Sequence, residues 1–200
     1  KVHYALEGSI FCAGVTMQWL RDNVHMIKDI AESSRLAQAV KDNGGVYFVP
    51  AFTGLAAPHW LPNARATITG MTRDTRLEHI VRAALEAVCY QTRDLILAME
   101  QDADLEMTTL RVDGGMTANL WLLQFLSDII RMDVERPESL ESTAYGVVQL
   151  LRWHSGELSD VASIADSWTA KHHIEPAMQV QQAECYYQAW LKALRLVCVN

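Results

Sequence analysis

Between two short strand-like runs, TITGMT at 67–72 and a second at 109–112, the chain carries one long stretch of helical periodicity, from about Arg76 to Gln101. Ile80, Ala83, Ala84, Ala87, Val88, Leu95 and Met99 fall on or near one face of that stretch, which predicts an amphipathic helix. A helix of that length has no place in a β-sandwich, and the flanking strands have none in a helical bundle. The pattern therefore specifies an α/β layered domain.

The rest of the chain reads compatibly. Residues 2–6 (VHYAL) predict a strand, and Gly8–Ser9 open a helix that runs to about Asp22. A second helix, around 28–42, stops at Asn43–Gly44–Gly45. VYFVPAF (46–52) is β-branched and aromatic, a strand that Pro50 ends or bends. Residues 53–66 hold two prolines and no helical period, which reads as an ordered loop. After the strand at 109–112 come a helix at 117–130, a short strand near 133–136 and a helix from about Glu141 to His154. Helices at about 158–168 and 177–197 complete the reading, with no internal repeat or low-complexity segment. The chain starts at Lys1 inside a predicted strand, so a fragment of a longer protein is expected.

Composition removes several function classes. The chain has 200 residues, half of them hydrophobic, enough for one substantial core. A formal net charge of −7 speaks against a broad nucleic-acid-binding surface, which needs clustered Lys and Arg. Cys12, Cys89, Cys185 and Cys198 are scattered without a C-x-x-C pair, as expected of reduced thiols in a cytoplasmic protein. His172 and His173 are adjacent and so point apart on strand or helix alike, and no metal site is expected there. No apolar run approaches the ~20 residues of a membrane span, and no signal peptide is visible.

LRVDGGMTAN (110–119) is the candidate functional stretch. A strand, an acid, two glycines and a helix start form a turn in which the backbone can come close to a ligand. The helix N-terminus then offers free N–H groups and the positive end of its dipole. A glycine pair in such a turn serves the turn itself equally well. The spacing matches neither the G-x-G-x-x-G fingerprint nor the P-loop.

RVDGGMTANLWLLQFLSDIIRMDVERPESLESTAYG (111–146) resembles the C-terminal domain of the FGGY carbohydrate kinases, and within them the glycerol kinases. So do YALEGSIFCAG (4–14), QWLRD (18–22), VYFVPAFTGLAAPHW (46–60) and RAALEAVCYQTRDLILAM (82–99). ATITGMTRDTRLEHIVRAALE (66–86) is similar to the second signature of the family. The resemblance implies the actin-like, ribonuclease H-like fold: two α/β domains, each a mixed sheet flanked by helices, with nucleotide in the cleft between. This chain would be the second domain. The glycerol pocket, the acid that deprotonates the attacking hydroxyl and the threonine-bearing phosphate turn would all precede Lys1, so no catalytic residue is expected here.

Carried over by resemblance, the nucleotide-binding positions are Gly14, Gln18, Gly115 and Asn119. Gly14 would let helix backbone approach the phosphates, and Gln18 would add a polar contact one turn later. Gly115 would pass against the α-phosphate and ribose, and Asn119 would meet the adenine. Asp113 either positions metal or water near the phosphates or caps the next helix. The implied reaction transfers the ATP γ-phosphate, with Mg²⁺, to a terminal hydroxyl of glycerol, in a full-length enzyme expected to be a homo-oligomer. Two alternatives remain: another FGGY kinase acting on a pentulose or polyol, and a non-catalytic actin-like nucleotide-binding module.

Some residues depart from the family pattern. Ala56 and His59 stand where the family has Gly and Tyr, and a glycine needing positive φ would leave Ala56 strained. Val147, Val148 and Arg152–Trp153–His154 are bulkier than the family's small-residue run, and the resemblance fades beyond Gly156.

Overall fold

The computed structural model describes residues 4–138, 141–160, 162–166 and 168–197. Its elements in chain order begin with α1 (Gly14–Asp22), α2 (Glu32–Gln38), β1 (Tyr47–Val49), β2 (Thr67–Thr69) and α3 (Leu77–Ala103). Next come β3 (Thr109–Arg111), a 3-10 turn (Gly115–Ala118), α4 (Leu120–Ile130) and β4 (Asp133–Pro137). The chain finishes with α5 (Ser142–His154), α6 (Ala162–Asp166), β5 (Ala170–Ile174) and α7 (Val180–Val197).

Two sheets form. β1 and β2 make an antiparallel pair, with Tyr47 opposite Thr69 and Val49 opposite Thr67. β4 lies between β3 and β5, parallel to the first and antiparallel to the second, so this sheet is mixed. Its register puts Leu110, Val134 and Ile174 in one cross-strand row and Arg111, Glu135 and His173 in the next. Side chains alternate across a pleated sheet. The first row accordingly packs into the core, and the second is polar, with an Arg111–Glu135 ion pair at 3.2 Å and His173 at 3.6 Å from Glu135.

α3 organises the molecule. Ala83, Ala84 and Ala87 of the expected apolar face are buried, but so are Val81, Arg82, Glu86, Gln91 and Asp94. A helix enclosed all round must satisfy its polar groups internally. Glu86 accepts from Arg82 Nε at 2.7 Å, Asn43 Nδ2 at 2.9 Å and Tyr90 hydroxyl at 3.1 Å. Burial pushes the Glu86 carboxyl above its ordinary pKa, against the opposing pull of those donors. Asp94 accepts from Tyr187 hydroxyl at 2.5 Å and Trp190 Nε1 at 3.0 Å, both on α7, and lies 3.2 Å from His59 Nε2. Around this axis Tyr90 stacks on Trp190 at 5.4 Å and meets Phe125 edge-on at 5.8 Å.

Several boundaries differ from the sequence reading. Val2 and His3 of the expected first strand lie outside the described residues, as do Cys198 and positions 161 and 167 of the expected helix 158–168. Tyr4 to Leu6 form no strand, and α1 begins at Gly14 rather than Gly8. The reason is tertiary. The segment lies so close along α3 that a Cβ on Gly8 would stand 2.4 Å from Leu95 Cδ1, and Gln91 Nε2 donates to Cys12 carbonyl at 3.5 Å.

α2 is shorter than 28–42 because side chains hold both flanks. The Glu32 carboxylate accepts from Lys28 N at 2.6 Å before the helix, and Arg82 takes the Val40 carbonyl at 2.8 Å after it. The strand expected over 67–72 stops at Thr69, since Gly70 (φ +80°) lies so close to Gly45 that a Cβ would be 2.0 Å from its carbonyl oxygen. The helix expected from 117 starts as a 3-10 turn, and α4 proper begins at Leu120. α6 spans only Ala162–Asp166, and β5 was not foreseen at all. Ala56 is not among the residues of positive φ, so the strain foreseen there does not arise.

Candidate nucleotide site

The glycine turn sits where β3 hands over to α4. The pairing with β4 persists one residue past β3, since Val112 N donates to Glu135 carbonyl at 2.9 Å. The chain must then reverse without losing its place against the core. The two glycines divide that task. Gly114 has φ 86° and ψ 171°, a region almost closed to residues with a Cβ, although a Cβ there would meet nothing within 4 Å. Gly115 is not at positive φ, yet space stands open where its Cβ would project. One glycine supplies conformation and the other supplies room.

Hydrogen bonds lock the turn behind them. Gly114 carbonyl accepts from Thr117 Oγ1 at 2.7 Å and from Thr117 N at 3.1 Å, with Thr117 buried. Asn119 is the N-cap of α4, its Oδ1 accepting from Leu122 N at 3.1 Å. That bond fixes the amide so that Nδ2 faces the other way. Nδ2 is buried and has no hydrogen-bond partner. A buried donor without an acceptor costs about 1–3 kcal/mol.

Beside the turn lies a cleft of about 240 Å³. Gly115, Met116, Ala118, Asn119 and Leu122 form one wall, and Met17 and Leu85 the floor. The opposite wall comes from Ile30, Ala31, Ser33 and Ser34, at the start of α2. None of these side chains is charged, so the cleft suits a flat, uncharged group with a few hydrogen-bonding atoms and gives a phosphate no counter-charge of its own.

The four expected nucleotide residues do not all reach this cleft. Gly115 and Asn119 line it. Gly14 touches it indirectly, since a Cβ there would lie 3.5 Å from Met116 Sδ. Gln18 is on the exposed side of α1 and is not part of the cleft wall. Asp113 is exposed and does not cap α4, a task Asn119 performs. Ser33 and Ser34 were not singled out from the sequence. They sit on a short helix more than one element away from the turn, and only the fold brings them opposite it.

Other features of the sequence reading fall elsewhere. His59 joins the Asp94 cluster. His173 lies 3.4–3.7 Å from carboxylate oxygens of Asp133, Glu135 and Glu175. No group of three or more His, Cys, Asp or Glu among the described residues could hold a metal ion. Cys12 and Cys89 are buried and free, and Cys185 is exposed and free. No helix among the described residues is long and apolar enough to cross a membrane.

The mixed sheet flanked by helices is the actin-like, ribonuclease H-like fold that this chain shares with the C-terminal part of carbohydrate kinases. The chain belongs to the FGGY family of carbohydrate kinases, whose C-terminal domain matches residues 1–153. Its relatives include the glycerol kinase of Coxiella burnetii (strain Dugway 5J108-111), 51% identical over 193 residues, which cover 96% of this chain and 38% of that protein. Glycerol kinase 2 of Thermotoga maritima is 49% identical over 194 residues, covering 97% of this chain and 39% of that protein. The crystal structure of Plasmodium falciparum glycerol kinase with ADP is 34% identical with a TM-score of 0.88, covering 96% of this chain and 38% of that one. A ligand-bound xylulose kinase from Lactobacillus acidophilus shares the fold at a TM-score of 0.82 with 19% identity, covering 96% of this chain and 40% of that one. The chain thus spans about two fifths of the length of the proteins it matches.

Proposed function

We propose that this chain is the nucleotide-holding part of an ATP-dependent glycerol kinase, which transfers the γ-phosphate to a terminal hydroxyl and yields glycerol 3-phosphate. The observation that carries this reading is the cleft beside Gly115. It is neutral, it has room where a Cβ would stand, and the one unpartnered amide donor on its wall is Asn119 Nδ2. Adenine is a flat group rich in acceptor nitrogens, and such a donor gains what it lacks by meeting one of them. Half-identity to glycerol kinases along nearly the whole chain supports glycerol as acceptor, and ADP in the Plasmodium falciparum structure supports the nucleotide.

Phosphoryl transfer asks for positioning and charge neutralisation rather than covalent chemistry from the protein. The cleft holds the uncharged end of the nucleotide, and the triphosphate extends from the glycine turn towards groups outside this chain. Mg²⁺ bound to the nucleotide would supply charge neutralisation on the phosphates, and no group of three or more His, Cys, Asp or Glu among the described residues would hold it. Gly14 and Gln18, at the start of α1, are the residues we assign to the phosphate side. Free Cys12, Cys89 and Cys185 and the use of ATP fit a cytoplasmic enzyme.

The test is ADP release from ATP by the full-length protein, compared across glycerol, xylulose, ribulose and gluconate. Glycerol is expected to give the highest kcat/KM. Preference for a sugar would overturn the acceptor, and failure to bind ADP in titration calorimetry would overturn the nucleotide assignment. The 200-residue chain alone is expected to phosphorylate nothing, because we assign the base and the acceptor pocket to polypeptide outside the two fifths of the relatives' length that it matches.

A further inference from the structure

The two walls of the cleft beside Gly115 are held in place by the protein's own hydrogen bonds. On one wall, the bond from Leu122 N to Asn119 Oδ1 ties up the acceptor of the amide, and Nδ2 is buried without a partner. On the other, α2 is clamped to α3, whose Arg82 donates to the Ala37 carbonyl at 3.4 Å and to the Val40 carbonyl at 2.8 Å. Ser33 and Ser34 of α2 line the cleft from that side. Their hydroxyls are not equivalent. Ser34 Oγ already accepts from Gln38 Nε2 at 3.1 Å. Ser33 is only 3% exposed, yet its hydroxyl makes no hydrogen bond among the described residues.

The cleft that these groups share is otherwise mostly apolar, with Met17, Ile30, Leu85 and Leu122 among its lining. In such surroundings a polar group without a partner is costly, and a ligand that supplies the partner gains accordingly. Asn119 Nδ2 can only donate. Ser33 Oγ has two lone pairs and one hydrogen, none of them engaged. The two residues therefore suit a flat group with a hydrogen-bond acceptor on its edge and an N–H donor next to it. Adenine carries that pattern, since its 6-amino donor stands between the ring acceptors N1 and N7.

We infer that Ser33 reads the base: its Oγ accepts from the 6-amino group of adenine while Asn119 Nδ2 donates to a ring nitrogen beside that group. This rests on the assignment of the cleft to the nucleotide, and goes beyond it by naming the side chain that recognises the amine. A hydroxyl donates as readily as it accepts, so Ser33 registers a polar group at the 6-position and does not by itself reject the carbonyl of guanine. The informative comparison is therefore a nucleotide with nothing at that position. Purine riboside 5′-diphosphate lacks the amine and keeps both ring acceptors.

Titration calorimetry on the full-length protein tests this with ADP and purine riboside 5′-diphosphate. Wild type is expected to bind ADP about fivefold more tightly, the effect of one neutral hydrogen bond. Ser33→Ala should erase that margin. Its affinity for ADP should fall about fivefold, while its affinity for purine riboside diphosphate stays within twofold of wild type. Ser33→Cys, close to serine in size but a weak acceptor, should behave in the same way and gives a second variant should the first disturb α2. Equal wild-type affinities for the two nucleotides would overturn the role of Ser33 without any substitution. Variants that weaken both nucleotides alike, or that keep the wild-type preference for ADP, would overturn it as well. In each of those cases ADP still binds and the nucleotide assignment stands. A wild-type protein that binds neither nucleotide overturns that assignment and the role of Ser33 together.

Discussion

Gly115→Val in the full-length protein puts three carbons into the cleft from a position where even a Cβ now has open space around it. The backbone there is not at positive φ, so valine imposes no left-handed strain, and the fold should tolerate it. The cleft holds about 240 Å³, and an isopropyl group set in its wall cannot coexist with a base lying against the same backbone. We expect KM for ATP to rise at least tenfold, a loss of about 1.4 kcal/mol, with KM for glycerol within twofold of wild type. Gly115→Ala is expected to show the same effect in smaller measure. Gly114→Ala is the control, because its φ of 86° and ψ of 171° strain any residue with a Cβ by about 1–3 kcal/mol. That variant should lose stability in urea titrations, while its KM for ATP moves less than that of Gly115→Val. Coupled-enzyme kinetics and urea melts on the three proteins decide the matter. A folded Gly115→Val enzyme with unchanged ATP dependence would refute the placement of nucleotide in this cleft.

Asn119→Asp keeps the cap acceptor of α4 and favours the helix dipole but removes the buried amide donor. Its thermal midpoint should hold or rise while ADP affinity, measured by calorimetry, falls at least fivefold. Asp94→Ala strips the acceptor from two buried donors, Tyr187 hydroxyl and Trp190 Nε1, and should cost about 2–5 kcal/mol in urea unfolding. Asp94→Asn, which retains one oxygen, should cost less. Burial pushes the Tyr47 phenol from 10.0 up to about 12, so the folded state holds that proton more tightly than the unfolded chain. The associated stability is present below pH 10 and lost as pH rises towards 12, and in urea midpoints Tyr47→Phe should lose less than wild type across that window.

The parts of the fold legible in the sequence are those fixed by local chemistry. The alanine-rich stretch from 83 to 87 can only be a close-packed helix, and Asn43–Gly44–Gly45 halts a chain wherever it occurs. The same holds for the Gly114–Gly115 turn and for the mixed α/β character that the spacing of strands and helices imposed. What escaped depends on partners distant in sequence. Helix α1 starts late because Leu95 and Gln91 of α3 receive Gly8 and the Cys12 carbonyl, which no window around Gly8 reveals. β5 (AKHHI) offers little alternation, since its side towards Glu135 carries His173 and only Ile174 reaches the core. At the candidate site, the sequence points to the glycine turn and offers Asp113 as a cap, a task the fold gives to Asn119, and it gives no sign of Ser33 and Ser34 across the cleft. The resemblance implies Gln18 as a nucleotide contact, whereas the fold leaves Gln18 exposed.

Asp94 ties the end of the chain to its middle. Its carboxylate holds Tyr187 and Trp190 of α7 and touches His59 of the preceding loop. During synthesis α7 is the last of these elements to leave the ribosome. Until it does, a carboxylate in the centre of α3 has no indole or phenol to receive, and the stacked face of Tyr90 lies uncovered. The core around Tyr90 can therefore collapse early but cannot close until α7 arrives. A nascent chain cut short before Trp190 would present chaperones and proteases with an open core rather than a frayed tail.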